Sequence, residues 1–340
     1  MNVSPKVDLL LPGFFDRLVE WTGSYVEKPE APELVSLLQK ATHQRSDYLD
    51  YESTLWHQFH ARYQANIELP AGRICSDLKG EVVCRADPVH LTAGISDLML
   101  IEASQLNLDA EETEMLTRLV NEHVNPVGGS FECSGATGVL AFEQAPILQS
   151  TPPSRVAGNG IDAYLPVKGD DGWWPRLLNE LQMLMFNSEL NRLREERGKP
   201  VISGLWLWGG GDNRVTPNLS EIYSRCVVHD DTFSDPFLES ILAKAGIEVE
   251  RTFSLDSAES GRILCVSAEL LPLAQYDDFF AWQEKLLALD EQLIKPLKQA
   301  LANGSISELV IHSCNGSIFS LRPSSRWQFW KRVKPLANYA

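Results

Sequence analysis

No stretch of this 340-residue chain is apolar for long enough to span a bilayer. The longest apolar runs, Val7 to Pro12, Gly204 to Trp208 and Ile263 to Ala268, fall far short of the ~20 residues a transmembrane helix needs. No apolar segment with a small-residue cleavage site follows the N-terminal residues, so no secretory signal is read and the cytoplasm is the expected location. Cysteine is sparse. The six lie scattered with no C-x-x-C pair, which excludes the clustered spacing of a disulfide framework or a structural zinc site and predicts small core residues. Positive charge is short as well: 30 Lys and Arg against 46 Asp and Glu leave a net charge of −16. Such a surface repels phosphate backbones and anionic lipid heads, so neither nucleic acid nor membrane is expected as a partner. Internal repeats, a Gly-x-Ser-x-Gly elbow and an H-E-x-x-H motif are all missing.

What is present is the composition of a folded protein of about two domains, with 44% hydrophobic and 22% charged residues. Val7 to Leu11, stopped by Pro12-Gly13, predicts a buried opening strand. Helices are expected over Ala31–Ala41, with Pro32 in the first turn, and over about Asp47–Gln64, with Ser46 as a cap. Strand character flanks Asp87-Pro88 and recurs at Leu98–Ile101. Asp109 reads as an N-cap, with Glu111, Glu112 and Glu114 in the first turns. Phe131–Cys133 and Val139–Phe142 predict a hairpin with a longer loop, and the Pro- and Gly-rich stretch 144–171 a joining segment. One long helix is expected from about Trp174 to Arg197, ended by Gly198, and then a strand over Gly204–Trp208. In the last third, strands at Cys226–His229, Ile247–Phe253, Ile263–Ala268 and Leu309–Leu321 alternate with helices at Pro236–Ala245 and Tyr276–Leu301. Such alternation implies a mostly parallel sheet covered on both faces.

Several motifs carry candidate chemistry. Trp208-Gly-Gly-Gly-Asp-Asn-Arg214 is a glycine turn after a strand, without the Gly-Lys-Ser/Thr end of a P-loop. The backbone N–H groups of Gly209, Gly210 and Gly211 could approach an anion, with Arg214 and Arg85 supplying charge; a tight junction turn is the alternative. Arg85-Ala-Asp-Pro-Val-His90 gathers three ionisable side chains. In extended chain residues 85 and 87 share a face and His90 takes the other, so a structural Asp-Pro turn is expected in place of a triad. His57 and His60 sit three apart on a helix and read as a half-exposed pair. Asn187, Asn191, Arg194 and Arg197 make a polar stripe that faces either a cleft or solvent. The stretch Arg322 to Lys334 interleaves Arg326, Lys331 and Arg332 with Trp327, Phe329 and Trp330. It could stack on an anionic partner, although docking of the aromatics on the body fits better.

The segment from Leu178 through Asn191-Arg-Leu-Arg194-Glu-Glu-Arg197-Gly198 to Leu205-Trp-Leu-Trp-Gly-Gly-Gly211 resembles archaeal-type cofactor-independent phosphoglycerate mutases. In that family an N-x-x-R-x-x-x-G helix end precedes a strand and a glycine turn. More weakly, Leu9–Asp16 is similar to the family's opening strand with its Asp-Gly-x-x-Asp, Ala31–Leu38 to its next helix, and Arg85 onward to the start of its inserted domain. Arg85–Leu91 and Leu205–Gly211 also resemble bacterial RpfE-type proteins, often labelled regulatory. The resemblance implies an α/β fold: an alkaline-phosphatase-like, mostly parallel sheet with helices on both faces, plus an inserted α+β domain. Residues 1–84 and 203–340 would form the core and 85–202 the insert. It also implies two divalent metals and a serine nucleophile.

This sequence departs from that pattern at the ligands. Pro12 stands at the first ligand position, although Asp16 matches the second aspartate. The stretch Ile263 to Ala274 carries no histidine, the closing Asp-His pair reads His312-Ser-Cys-Asn-Gly316, and Ser46-Asp47 lacks the glycines that expose a nucleophile. Two-metal chemistry needs a near-complete ligand set. The expectation is therefore a mutase-like protein without two-metal catalysis or a cofactor. It would act as a regulatory or binding protein for a protein partner or a small phosphorylated ligand, in an oligomeric state left open. The alternative is a phosphomutase- or phosphatase-type enzyme with an altered site drawn from Asp16, Arg85, Asp87, His90, Arg214 and His312, using a divalent metal such as Mn or Zn.

Overall fold

The computed structural model describes residues 4–25, 28–60, 64–94, 98–165, 172–211, 222–229, 235–254, 261–324 and 334–339. The chain divides into two compact units, one of residues 1–62 and 217–340 and the other of residues 63–216. The first begins with β1 (Lys6–Leu10), whose Val7 and Leu9 enter the core on one face while the alternate Asp8 lies buried on the other. α1 (Leu18–Ser24) and α2 (Pro32–Lys40) follow, with Pro32 in the first turn of α2 as expected. β2 (Thr42–Arg45) is an exposed strand. α3 (Tyr51–Phe59) starts later than the sequence suggests: Asp50 caps it by accepting from Ser53 N at 2.7 Å, while Ser46 Oγ accepts from Tyr48 N in a preceding turn.

In the second unit α4 (Ala71–Cys75) leads into β3 (Val82–Ala93). This strand runs straight through Asp87-Pro88, so the turn expected there is absent. β4 (Leu98–Ile101) pairs with its second half. α5 (Ala110–Val124) opens on a capping box, Asp109 accepting from Glu112 N at 2.9 Å and Glu112 from Asp109 N at 3.2 Å. β5 (Gly129–Ser134) and β6 (Thr137–Phe142) form the hairpin, but through the tight turn Gly135-Ala136 with Gly135 at φ +55° in place of a longer loop. β6 pairs with β3 over Val82–Arg85. Pro88, which has no N–H to give a ladder, lies where β3 has left β6 and not yet met β4. α6 (Pro153–Val156) is a single turn in the joining segment.

The long helix expected next is two helices, α7 (Trp173–Phe186) and α8 (Glu189–Glu196). Ser188 restarts the chain as an N-cap, its Oγ accepting from Asn191 N at 3.1 Å. Replacing Ser188 with alanine should lower stability by ~1 kcal/mol in urea unfolding, the usual worth of such a cap. The polar stripe faces neither cleft nor solvent at its centre. Asn191 is buried, donating to Met185 O and Ile202 O and accepting from Ile202 N, each at 2.8 Å. Arg194 is fully buried, with Nη1 2.6 Å from Glu112 Oε2 and further bonds to Pro200 O and Leu106 O. β7 (Gly204–Trp208) then runs antiparallel to Arg85–Val89 of β3.

Back in the first unit come β8 (Arg225–Val228), α9 (Pro236–Ala245), β9 (Val249–Glu250), β10 (Arg262–Val266) and α10 (Leu270–Gln275). α11 (Phe279–Leu289) continues through a π turn, Asp290–Ile294, into α12 (Lys295–Asn303). The strand expected over 247–253 is thus only Val249–Glu250, and the helix expected over 276–301 is composite. Within the π turn the buried Asp290 accepts from Glu33 N at 2.9 Å and Leu34 N at 2.8 Å. It thereby caps α2, whose own N-cap, Ala31, has no side-chain acceptor. The strand expected over 309–321 is a hairpin, β11 (Glu308–His312) and β12 (Ser317–Leu321), reversed at Cys314 (φ +59°) and Gly316 (φ +95°).

Among the described residues seven strands form one sheet in the order β2-β12-β11-β1-β10-β8-β9. The five from β11 to β9 are parallel, while β12 runs antiparallel to β11 and β2 antiparallel to β12. α1, α2, α11 and α12 cover one face through Trp21, Leu34, Trp282 and Leu297. α3 lies on the Asp8 face and meets α9 at Trp56 and Phe237. In the second unit β4, β3, β6 and β5 make an antiparallel sheet, joined by β7.

Candidate functional site

In an open α/β sheet, ligands bind outside the carboxyl ends of the strands, where successive connections leave in opposite directions. Here that place is the end of β1, with β10 on one side and β11 on the other. The three strand ends are tied by Leu11 N to His312 O at 2.9 Å and Ser267 N to Leu10 O at 3.0 Å. The chain then turns at Gly13 (φ +78°), where a Cβ would lie 2.4 Å from the Leu271 backbone, so only glycine fits.

Asp16 follows that turn. Its side chain is exposed, and desolvation by the protein atoms around it raises its pKa from 3.8 to about 6 against the opposing Gly13 N–H bond and Arg17 charge. The folded protein therefore holds this proton more tightly than the unfolded chain does, and stability falls as pH rises from 3.8 to about 6. Asp16→Asn should raise the thermal midpoint at neutral pH and leave it unchanged once the carboxyl is protonated in both states. Carboxyl carbon NMR would locate the titration itself.

The other strand ends carry committed groups. Beyond β11, the Cys314 thiol is buried, and desolvation together with the Asp16 carboxylate pushes its pKa well up, which favours the thiol over a thiolate nucleophile. Beyond β10, Glu269 is 3.1 Å from His229 Nδ1 and 2.8 Å from Lys285 Nζ. Burial alone would raise its pKa, but those two partners hold it below the usual range.

On the α3 face, Asp8 Oδ2 accepts from Arg262 at 2.8 and 3.1 Å and from Tyr223 OH at 3.2 Å. His312 Nε2 lies 3.5 Å from Asp8 Oδ1, the outer range of an ion pair, and neither buried ring nitrogen makes a well-formed hydrogen bond. His57 is half-buried and stacks on Tyr48 at 4.3 Å; its pKa is lowered by burial and then by the charge of His312.

The remaining candidates of the sequence lie in the second unit. Arg85 and Asp87 share a face of β3 and are both buried. Nε and Nη2 of Arg85 lie 3.0 and 2.7 Å from Asp87 Oδ1, and Nη1 lies 3.4 Å from Cys75 Sγ. Asp87 also accepts from Gly138 N at 3.0 Å and Trp208 Nε1 at 2.7 Å. With its charge paired and buried, Arg85 has no open face for an external anion, which corrects that expectation. His90 is on the opposite face, donating from Nδ1 to Val201 O at 2.9 Å, so the three make no triad. The N–H groups of Gly209 and Gly210 do meet an anion, but it is the chain's own Glu68, while Gly211 N donates to Leu69 O at 2.7 Å. Arg214 and the aromatic-basic stretch 325–333 lie outside the described residues. Sequence reasoning missed Asp8, Glu68, Ser150 and the Glu269–His229 pair. Asp8 carried a visible signal, a lone carboxylate inside an apolar strand.

The donors at the carboxyl edge do not fit a pair of divalent metals. Pro12 offers no ligand atom, the Cys314 thiol is buried, Glu269 is paired with Lys285, Asp50 caps α3, and Asp8, in the middle of β1, is paired with Arg262. Among the described residues no group of three or more His, Cys, Asp or Glu side chains could hold a metal ion. No helix among them is long and apolar enough to cross a membrane.

No family model matches the chain. Over 63 residues, 18% of this chain and 16% of the relative, it is 32% identical to the 2,3-bisphosphoglycerate-independent phosphoglycerate mutase of Methanosarcina mazei. That match therefore spans less than a fifth of either protein. The structure is similar to a cofactor-independent phosphoglycerate mutase from Thermoplasma acidophilum, at 13% identity and TM-score 0.45 over 99% of this chain and 95% of that one. It is also similar to the PH0037 protein from Pyrococcus horikoshii, at 11% identity and TM-score 0.52 over 98% of this chain and 91% of that one. The latter likeness is one of fold, and the α/β, alkaline-phosphatase-like fold expected from the sequence is the one the chain has.

Proposed function

We propose that this is an RpfE-type, phosphoglycerate-mutase-like protein that has given up two-metal phosphoryl transfer and works in the cytoplasm as a regulatory or binding protein. Its target would be a protein partner or a small phosphorylated ligand. One observation carries the proposal: beyond the carboxyl ends of β10 and β11, Glu269 is already paired with Lys285 and His229, and burial favours the protonated thiol of Cys314. In two-metal phosphoryl transfer the pair clamps the attacking and leaving oxygens, and side chains already engaged in this way are poor at holding it. The cytoplasmic assignment is supported by the scattered spacing of the six cysteines, with no C-x-x-C pair, which suits a reducing compartment. An altered phosphatase-type enzyme is the second reading, favoured by Asp16, whose raised pKa would let it exchange a proton near neutrality. The test is a mutase and phosphatase assay with added manganese, cobalt or zinc. No turnover above a metal-only control is expected; turnover abolished by Asp16→Asn would establish the second reading instead.

A further inference from the structure

We propose that Gly209, Gly210 and Ser150 form a carboxylate-binding seat that the chain fills with its own Glu68, so that Glu68 gates the access of an external small carboxylate. Glu68 Oε1 accepts from Gly209 N at 3.0 Å and from Ser150 Oγ, Oε2 accepts from Ser150 N at 3.0 Å, and Gly210 N–H adds a further bond. Successive backbone N–H groups beside a left-handed residue, here Gly209 at φ +66°, make an anion-binding concavity. The close approach depends on glycine, because a Cβ at Gly209 would lie 2.4 Å from Ala71 Cβ and one at Gly211 2.0 Å from Glu68 O.

Three features separate a seat from a simple structural clasp. First, the turn is held without the Glu68 side chain: Gly211 N donates to Leu69 O at 2.7 Å and Gly72 N to Gly209 O at 3.0 Å, so the donors stay in place if the carboxylate leaves. Second, Glu68, Ser150 and Gly210 are all partly exposed and Gln64–Ile67 are exposed, so the side chain can turn out without opening the core. Third, burial raises the Glu68 pKa in spite of its four donors, so the charged group is held less firmly than their number suggests. The ligand class follows from the donors. Each carboxylate oxygen receives its own, and among the described residues none of Glu68's partners is a cation, which suits one negative charge better than the two of a phosphate. An intramolecular carboxylate has an effective concentration in the millimolar range or above. An external one therefore enters the wild-type seat only if it brings further contacts.

The experiment uses full-length Glu68→Ala and Glu68→Gln, titrated with acetate, with phosphate and chloride as controls. It is read by thermal midpoint and by the amide shifts of Gly209, Gly210 and Ser150. Loss of the carboxylate should move these amides upfield, and acetate should return them saturably, with a midpoint in the millimolar range, while wild type ignores the same additions. Adding Ser150→Ala should weaken acetate binding about tenfold, the loss of one hydrogen bond to a charged group. If Glu68→Ala folds only in acetate, and not in chloride, the seat is supported. Failure in both salts, together with a folded Glu68→Gln that ignores acetate, overturns it. An equal response to chloride also overturns it, and tighter binding of phosphate than of acetate overturns the carboxylate assignment. None of these outcomes depends on whether the first unit turns over a substrate.

Discussion

Arg85→Ala should destabilise the 63–216 unit by about 3–5 kcal/mol in denaturant unfolding, because it strands the buried Asp87 carboxylate without its counter-charge. The guanidinium also sits over Trp208 at 5.2 Å, so packing is lost with the charge. Asp87→Ala should cost a similar amount, since it leaves Arg85, Gly138 N and Trp208 Nε1 without their acceptor. The double variant Arg85→Met with Asp87→Leu should recover most of the loss, because a well-packed apolar pair removes the desolvation of both ions. An Arg85 that served an external anion would behave otherwise: the alanine variant would keep its stability and lose phosphate or sulfate binding.

Arg194→Ala should have an effect of the same size, ~3–5 kcal/mol, for a related reason. Glu112 would remain buried, and the Pro200 and Leu106 carbonyls would lose their donor. Lys199, 3.0 Å from Glu112 Oε1, could take over part of the charge pairing. Lys199→Ala alone should change stability by less than ~1 kcal/mol, since this lysine is partly exposed and its bridge is screened. The two variants compared in urea separate the buried pair from its solvated neighbour. Equal losses would show that the burial of Arg194 does not matter.

The buried Arg194–Glu112 pair also marks the limit of what could be read from the residues alone. Asp109 and Glu112 were legible as a helix start because a capping box is local, with partners three residues apart. The tie between Glu112 and Arg194 spans 82 positions, and that between Glu68 and Gly209 spans 141. No periodicity encodes such distances. Opening strand, parallel sheet and amphipathic helices were legible because burial alternates with the pleat or the turn. The break at Asn187-Ser188 was not, because Leu190 continues the apolar spacing of α7 while Ser188 restarts the chain as a cap. Asp87-Pro88 misled in the opposite direction. Proline is a turn signal in a free chain, but at a point where β3 changes partners its missing N–H leaves no gap in a ladder. At the glycine turn Gly209 N meets the chain's own Glu68, and nothing near Gly209 in sequence announces a glutamate so far away.

The central claim is that the carboxyl edge of the parallel sheet cannot cage a metal pair. Its most direct test is the metal content of purified protein after dialysis against manganese, counted by mass spectrometry and by manganese EPR. The account predicts well below one tightly held ion per chain and no spin-coupled signal. Two ions per chain, coupled as in a bridged pair and lost on Asp16→Asn, would contradict it.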